Sequence, residues 1–379
     1  MRTVCHRFVR RVFSRKRATD VLTADIYHGH PRLVRIVALL AAVFFQLPAT
    51  LVVQGQAIDK KTFFLTDSLI EMTIVTDLKK LVNGKEKKNF EKHFIPAAIT
   101  FHFSDNERIT DTAEIRARGE FRREECYMPP VMINFKRDGA TALRKLGRLK
   151  LVWPCDNTGY YEQLVLKEYL VYRIYGLLTE KSFRTRLVKV HYKDVSEKIR
   201  PHTTYGFFIE DVDDMAKRND CKEVEDEKFF TELTNRKQAT LIFLFQYMIG
   251  NTDWAVSVYH NIKLIRNRPD SLSAPYLVPY DFDCNGLVNP DYAVPPPELE
   301  LVSVRQRAYR GFPRTMAELE EVMELLKKNR AAMDSLIMNC RPLLKTYKKE
   351  MTDYLDEFFM LIKDEDYVRE IFIKKARKE

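Results

Sequence analysis

Two hydrophobic periods divide the chain. Apolar and polar residues alternate with a period of two over residues 97–103, 113–118, 131–136 and 148–153, as in Ile115-Arg116-Ala117-Arg118 and Met132-Ile133-Asn134-Phe135-Lys136. Charged or proline-containing segments separate these runs, so each predicts a strand with one buried face and one wet face. Upstream, residues 63–81 read as a strand that gives way to a polar linker at 83–88. The period then changes. Val165, Leu166, Tyr169, Leu170, Ile174, Leu177 and Leu178 fall on one helical stripe and predict a helix over 161–178. Strands follow at 185–192 and 204–210, and then a helix over 223–249 whose apolar run Leu241 to Phe245 places its end in a core. Short strands at 259–265 and 276–280 precede helices at 316–339, 343–363 and 366–378.

Strands come first and helices last, which predicts a segregated α+β layout, sheet-rich and then helical. The expected divisions are a leader at 1–57, an N-terminal β extension at 58–110, a strand-rich lobe at 111–222 and a helical lobe at 223–379. With 379 residues, 45% of them apolar, the chain can bury a large core, which excludes disorder as its dominant state. Only 12 glycines are present, and neither G-x-x-x-x-G-K-[ST] nor G-x-G-x-x-G occurs. A Walker or Rossmann phosphate loop is thereby excluded.

The net charge is +10, but residues 1–57 carry nine Lys and Arg against Asp20 and Asp25. The remaining body is nearly balanced, so a general role in binding nucleic acid is not expected. The leader runs from a basic stretch ending at Arg35 through ten apolar residues, Ile36 to Phe45, to the small-x-small sequence Gly55-Gln56-Ala57. This is the order of a secretory signal and predicts an extracytoplasmic protein, periplasmic, surface-bound or secreted. The alternative is a membrane anchor at residues 36–53, although the run falls short of the roughly 20 apolar residues of a spanning helix. Five cysteines follow the leader without a C-x-x-C pair. Cys126 and Cys155 sit beside predicted strands and could pair in an oxidising compartment, and the odd count leaves a free thiol.

The densest chemistry lies between the apolar helix and the last short strands. Gly250-Asn251-Thr252-Asp253-Trp254 ends the helix, His260-Asn261 opens a strand, and Asp281-Phe282-Asp283-Cys284-Asn285-Gly286 follows the next. A hairpin returns its ends to one side of a sheet, so Asp253, Asp281 and Asp283 are expected to converge with Asn261. Such oxygen donors suit Mg²⁺ or Mn²⁺. Phosphoryl transfer uses these parts, with one Asp for the attacking hydroxyl and an Asn and a second Asp for the metal. The plain alternative is a pair of Asx turns.

Ile249-Gly250-Asn251-Thr252-Asp253-Trp254, His260-Asn261 and Pro279-Tyr280-Asp281-Phe282-Asp283 resemble the core of the spore-coat CotH kinase family. Arg116-Ala117-Arg118-Gly119, Val131 to Lys136, Tyr169 to Tyr172 and Tyr205 to Asp213 are looser likenesses in the same order, so that the resemblance spans about 113–286. It implies a kinase-like two-lobed architecture, a sheet-rich N-lobe followed by a helical C-lobe, with ATP or another nucleotide and Mg²⁺ or Mn²⁺ as cofactors. It makes Asp253 catalytic and Asn261 with Asp281 or Asp283 the metal ligands, without choosing between the two aspartates. The family often has a His after D-W, where this chain has Ala255, and Asn261 stands eight residues after Asp253 rather than four or five.

A nucleotide site of this kind needs a strand lysine, Lys136 or Lys150, paired with Glu162 or Glu168 on the following helix; Arg116 and Arg118 share one strand face and could meet phosphates, an ordinary wet strand face being the other reading. Arg305, Arg307, Arg310 and Arg314 follow the metal-like loop and suit an acidic or hydroxyl-bearing protein substrate. A solvated basic loop is the other reading of these arginines. The function implied is an exported atypical kinase. A catalytically inactive binding module and, more remotely, a metal-dependent hydrolase are the alternatives.

Overall fold

A computed structural model describes residues 58–85, 89–104, 106–119, 121–136, 141–225, 229–270 and 272–378. The predicted leader and anchor lie outside them. The expected kinase-like two-lobed architecture, a sheet-rich N-lobe followed by a helical C-lobe, is overturned by two features. Seven strands close on themselves as a barrel, and the second half carries a sheet of its own.

The barrel strands are β1 (Ile70–Thr76), β2 (Ile95–His102), β3 (Arg108–Ala117), β4 (Val131–Phe135), β5 (Arg148–Val152), β6 (Thr185–Asp194) and β7 (His202–Ile209), in the order β1-β2-β3-β4-β5-β7-β6. All neighbours are antiparallel except β1 and β6, which pair in parallel with Ile70 opposite Val188 and Thr76 opposite Asp194. That one parallel seam closes the barrel and removes its edges. A period-two pattern reports a buried face but not whether two sheet edges meet, so closure was not expected from the sequence. The strands of the predicted N-terminal extension are staves of the same barrel.

Alternation fills the interior. Met72, Ile74, Ile99, Phe101, Ile115, Ile133, Phe135, Leu149, Leu151, Val188, Val190 and Phe208 are buried together, and Trp153 closes one end by donating from Nε1 to Pro129 O at 2.6 Å. The predicted strand at 63–81 is instead α1 (Lys60–Leu65), β1 and α2 (Leu78–Gly84). Asp59 and Asp77 cap these helices by accepting from Thr62 N and Lys80 N, each at 2.9 Å. Between β3 and β4 lies the short α3 (Phe121–Glu125).

Between β5 and β6, α4 (Gly159–Gly176) buries Leu164 to Leu166, Leu170, Val171, Ile174 and Tyr175. After the barrel come α5 (Val212–Arg218), β8 (Cys221–Glu223), α6 (Arg236–Met248), β9 (Ile262–Asn267) and β10 (Tyr276–Pro279), and the three strands form a sheet in the order β10-β9-β8. The long helix expected at 223–249 is therefore shortened to α6, which starts where Asn235 caps it by accepting from Gln238 N at 3.0 Å. The remaining helices are α7 (Met316–Lys328), α8 (Arg330–Asn339), α9 (Lys345–Leu361) and α10 (Glu365–Arg369). A second core joins α4, α6, β9, β10 and these last helices.

Candidate active site

The site starts where α6 stops. Gly250 holds φ +65°, the left-handed turn that ends many helices, and a Cβ there would collide with the Tyr354 hydroxyl. Beyond it the backbone is locked by side chains. The Asn251 carboxamide oxygen accepts from Asp253 N at 2.8 Å, and Trp254 Nε1 donates to Asn251 O at 3.2 Å. The loop then folds back so that Ala255 and His260 exchange both backbone hydrogen bonds, each 2.9 Å. Tyr259 and Asn261 adopt φ of 55° and 54°, conformations that cost side-chain-bearing residues about 1 kcal/mol or more and cluster at functional sites.

This turn brings a histidine onto Asp253. His260 Nε2 lies 2.6 Å from Asp253 Oδ1, while Asn261 Nδ2 donates to Asp253 Oδ2 at 3.1 Å and to Asp253 O at 2.8 Å. The hydrogen bond to Asp253 raises the His260 imidazole above its ordinary value against the opposing effect of burial. Each carboxylate oxygen keeps a second lone pair.

The second loop is laced to the first. Gly286 N donates to Gly250 O at 3.1 Å, Leu287 N to Ile249 O at 3.0 Å, and Tyr280 N to Asn261 O at 3.1 Å. Asp281, at φ 60°, donates its N–H to the Tyr172 hydroxyl on α4 at 2.8 Å. Asp283 is only 6% exposed and accepts from the Tyr292 hydroxyl at 3.3 Å. Asp281 reaches solvent on one side and is surrounded by protein on the others. Desolvation and the neighbouring Asp283 charge push its carboxyl up, and burial and the Asp253 charge push Asp283 up as well. The three aspartates thus lie within electrostatic reach of one another, as the hairpin argument requires.

Opposite them stand cations that the sequence placed only in part. Glu168 on α4 is 1% exposed and pairs with Arg122 of α3 at 3.2 Å, not with a strand lysine. Burial and the Asp283 and Asp281 charges push Glu168 up, and Arg122 and Arg118 oppose them. Arg118 is half-buried, faces Asp281, and makes no side-chain hydrogen bond among the described residues; its burial lowers the guanidinium. Lys150 pairs with Asp211 at 3.4 Å near Arg118. Lys136 is exposed on the barrel and pairs with Glu114 at 3.1 Å, so it does not reach the cleft. Glu162 is engaged by Thr204 and Tyr205 N.

Of the four arginines that follow, Arg305 pairs with Glu350 at 2.9 Å, Arg307 with Glu357 at 3.2 Å, and the buried Arg314 with Glu232 at 2.7 Å. Arg310 binds Thr252 O and lies within electrostatic reach of Asp253. Three are therefore tied into the fold and one borders the site.

The donors fit a divalent metal in kind, being carboxylates with the free amide oxygen of Asn261. Among the described residues Glu168 Oε1 is a further buried oxygen with no hydrogen-bond partner. Among the described residues, however, no three of His, Cys, Asp and Glu stand close enough to hold an ion unaided. Mg²⁺ is ordinarily held by one or two carboxylates together with substrate phosphates rather than by a protein cage, so the two observations agree. Arg122 and Tyr292 are site residues that sequence reasoning missed, whereas His260 and Tyr172 stood in the quoted strings without a role. The signals were adjacency to Asn261 for His260 and the Tyr169 to Tyr172 string for Tyr172.

No family model matches the chain, and no curated protein is significantly similar to it.

Proposed function

We propose that this protein is an exported phosphotransferase, similar in its motifs to the CotH kinases, that moves the γ-phosphoryl group of a metal-bound nucleoside triphosphate such as ATP to a hydroxyl, most simply one on a protein. The observation that carries this reading is the setting of Asp253, a half-buried carboxylate with both oxygens oriented by His260 and Asn261 and two further carboxylates nearby. The acceptor hydroxyl gives its proton to Asp253 as its oxygen bonds to phosphorus and the bond to the diphosphate leaving oxygen breaks. Asp283, Asp281 and Asn261 would hold the metal, which neutralises phosphate charge when bound. Arg118, whose guanidinium makes no side-chain hydrogen bond among the described residues, would offer its fork to phosphate oxygens, with Lys150 within electrostatic reach of it.

The Cys126–Cys155 disulfide supports an oxidising, extracytoplasmic setting. Among the described residues no helix is long and apolar enough to cross a membrane. A second reading, a binding module without catalysis, is favoured by the position of Asn261, eight residues after Asp253, with its amide nitrogen spent on the Asp253 carboxylate and carbonyl.

Thermal unfolding with and without ATP and Mn²⁺ or Mg²⁺ separates the two. A phosphotransferase shows a rise that needs both metal and nucleotide, which disappears in Asp283→Asn and persists in Asp253→Asn. Phosphate transfer in Asp253→Asn falls about 10²–10⁴-fold. Absence of any shift leaves the binding module.

A further inference from the structure

The loop that carries Arg122 is held chiefly through side chains, with Phe121 against the Tyr292 ring, Arg123 over the Phe90 ring and donating to Lys85 O, and Lys85 Nζ donating to Cys126 O. α3 is five residues long and buries none of its side chains, far below the length at which a helix is stable alone. Yet Arg122 is placed for two acceptors at once, donating from Nη1 to Glu168 Oε2 at 3.2 Å and from Nη2 to Trp153 O at 2.8 Å. It also lies within electrostatic reach of Asp281 and Asp283. A covalent tie is added at its far end. Cys126, immediately after α3, is joined to Cys155, and Met128 N donates to Cys155 O at 3.0 Å. The bridge ties the β3–β4 connection to the β5–α4 connection, and therefore ties Arg122 to the helix that bears Glu168.

We propose that Arg122 is a positioning residue for the metal–nucleotide site, and that the Cys126–Cys155 bridge is the staple that keeps it on Glu168, so that the site is assembled in the oxidised protein and comes apart on reduction. The nucleotide arm rests on the function proposed above, whereas the staple does not. Cys126 is 1% exposed and Cys155 is half-buried, so an incoming thiolate meets the Cys155 sulfur first. A dithiol supplies two electrons and two protons, the S–S bond becomes two thiols, and the dithiol closes to its own disulfide.

The test uses the full chain, oxidised and after treatment with a dithiol, beside Cys126→Ser/Cys155→Ser, Arg122→Gln and Arg122→Lys. Hydrogen exchange should accelerate at least tenfold over residues 118–130 when the bridge is opened, with α6 and β2 unchanged; protection retained in that loop overturns the staple. The apparent Kd for ATP with Mn²⁺ should weaken tenfold or more on reduction and in Arg122→Gln. The two effects should not add, and Arg122→Lys should recover part of the loss. An unchanged Kd despite an opened loop overturns the positioning role. If the oxidised wild type binds no metal–nucleotide, the proposed function fails, and the exchange measurement still decides the staple. Arg122→Gln keeps the bridge, so it tests the arginine even where the serine variants do not fold.

Discussion

At the scale of single residues, the most exacting environment belongs to Lys167. Its ammonium is 1% exposed, pairs with Glu350 at 3.3 Å and lies over the Tyr347 ring, and burial lowers its pKa to about 8. Between about pH 8 and the ordinary lysine value the unfolded chain binds more protons than the folded one, so stability rises with pH across that window. Below it the buried charge costs about 3 kcal/mol. Lys167→Met should remove the rise and, because Arg305 and Asn289 still bind Glu350, stabilise the protein by about 1–3 kcal/mol at neutral pH. Denaturant titrations at pH 7 and pH 9.5 check both. The convergence of Asp253, Asn261, Asp281 and Asp283 was legible because they stand in short local strings joined by a hairpin. Arg122 was not, since Phe121-Arg122-Arg123-Glu124-Glu125 reads as a solvated face and its partner Glu168 is 46 residues away.

At the scale of elements, the close contact between the end of α6 and α9 is the sensitive joint. The Tyr354 hydroxyl lies where Cβ atoms of both Gly250 and Gly286 would be, and it donates to Arg305 O at 3.0 Å. Gly250→Ala should therefore lose about 1–3 kcal/mol from overpacking, beyond the left-handed backbone cost. Gly250→Ala/Tyr354→Phe should recover part of that loss when the hydroxyl is removed. Equal stabilities of the single and double variants in urea would count against the contact. Strands β2 to β7 and helix α4 were readable because each has a sustained period. The errors fell on short elements: β8 has three residues and no periodicity, and the break between α7 and α8 is one residue, Asn329. The caps Asp59, Asp77 and Asn235 were available as signals for α1, α2 and α6 and had been passed over.

At the scale of the whole molecule, β7 is a wall shared by two cores. Phe207 faces the core of α4 and α6, and its neighbour Phe208 faces the barrel interior. The two cores should therefore unfold together. The two tryptophans report on them separately, Trp153 from the barrel and Trp254 from the helical core. Trp153→Phe and Trp254→Phe should give fluorescence transitions that each coincide with that variant's own far-UV dichroism, and Phe208→Ala should shift both probes by about 3–5 kcal/mol. Non-coincident transitions would show that the wall does not couple them. Closure of the barrel was the feature least visible in the sequence, because its seam joins Glu71 to Lys189 across 118 residues. That seam also sets a timetable. On a ribosome adding about 5–20 residues per second, β1 waits on the order of ten seconds for its parallel neighbour to be made. Throughout that interval Met72 and Ile74 belong to a strand with one side unmatched, which makes β1 the first segment a holding chaperone would meet.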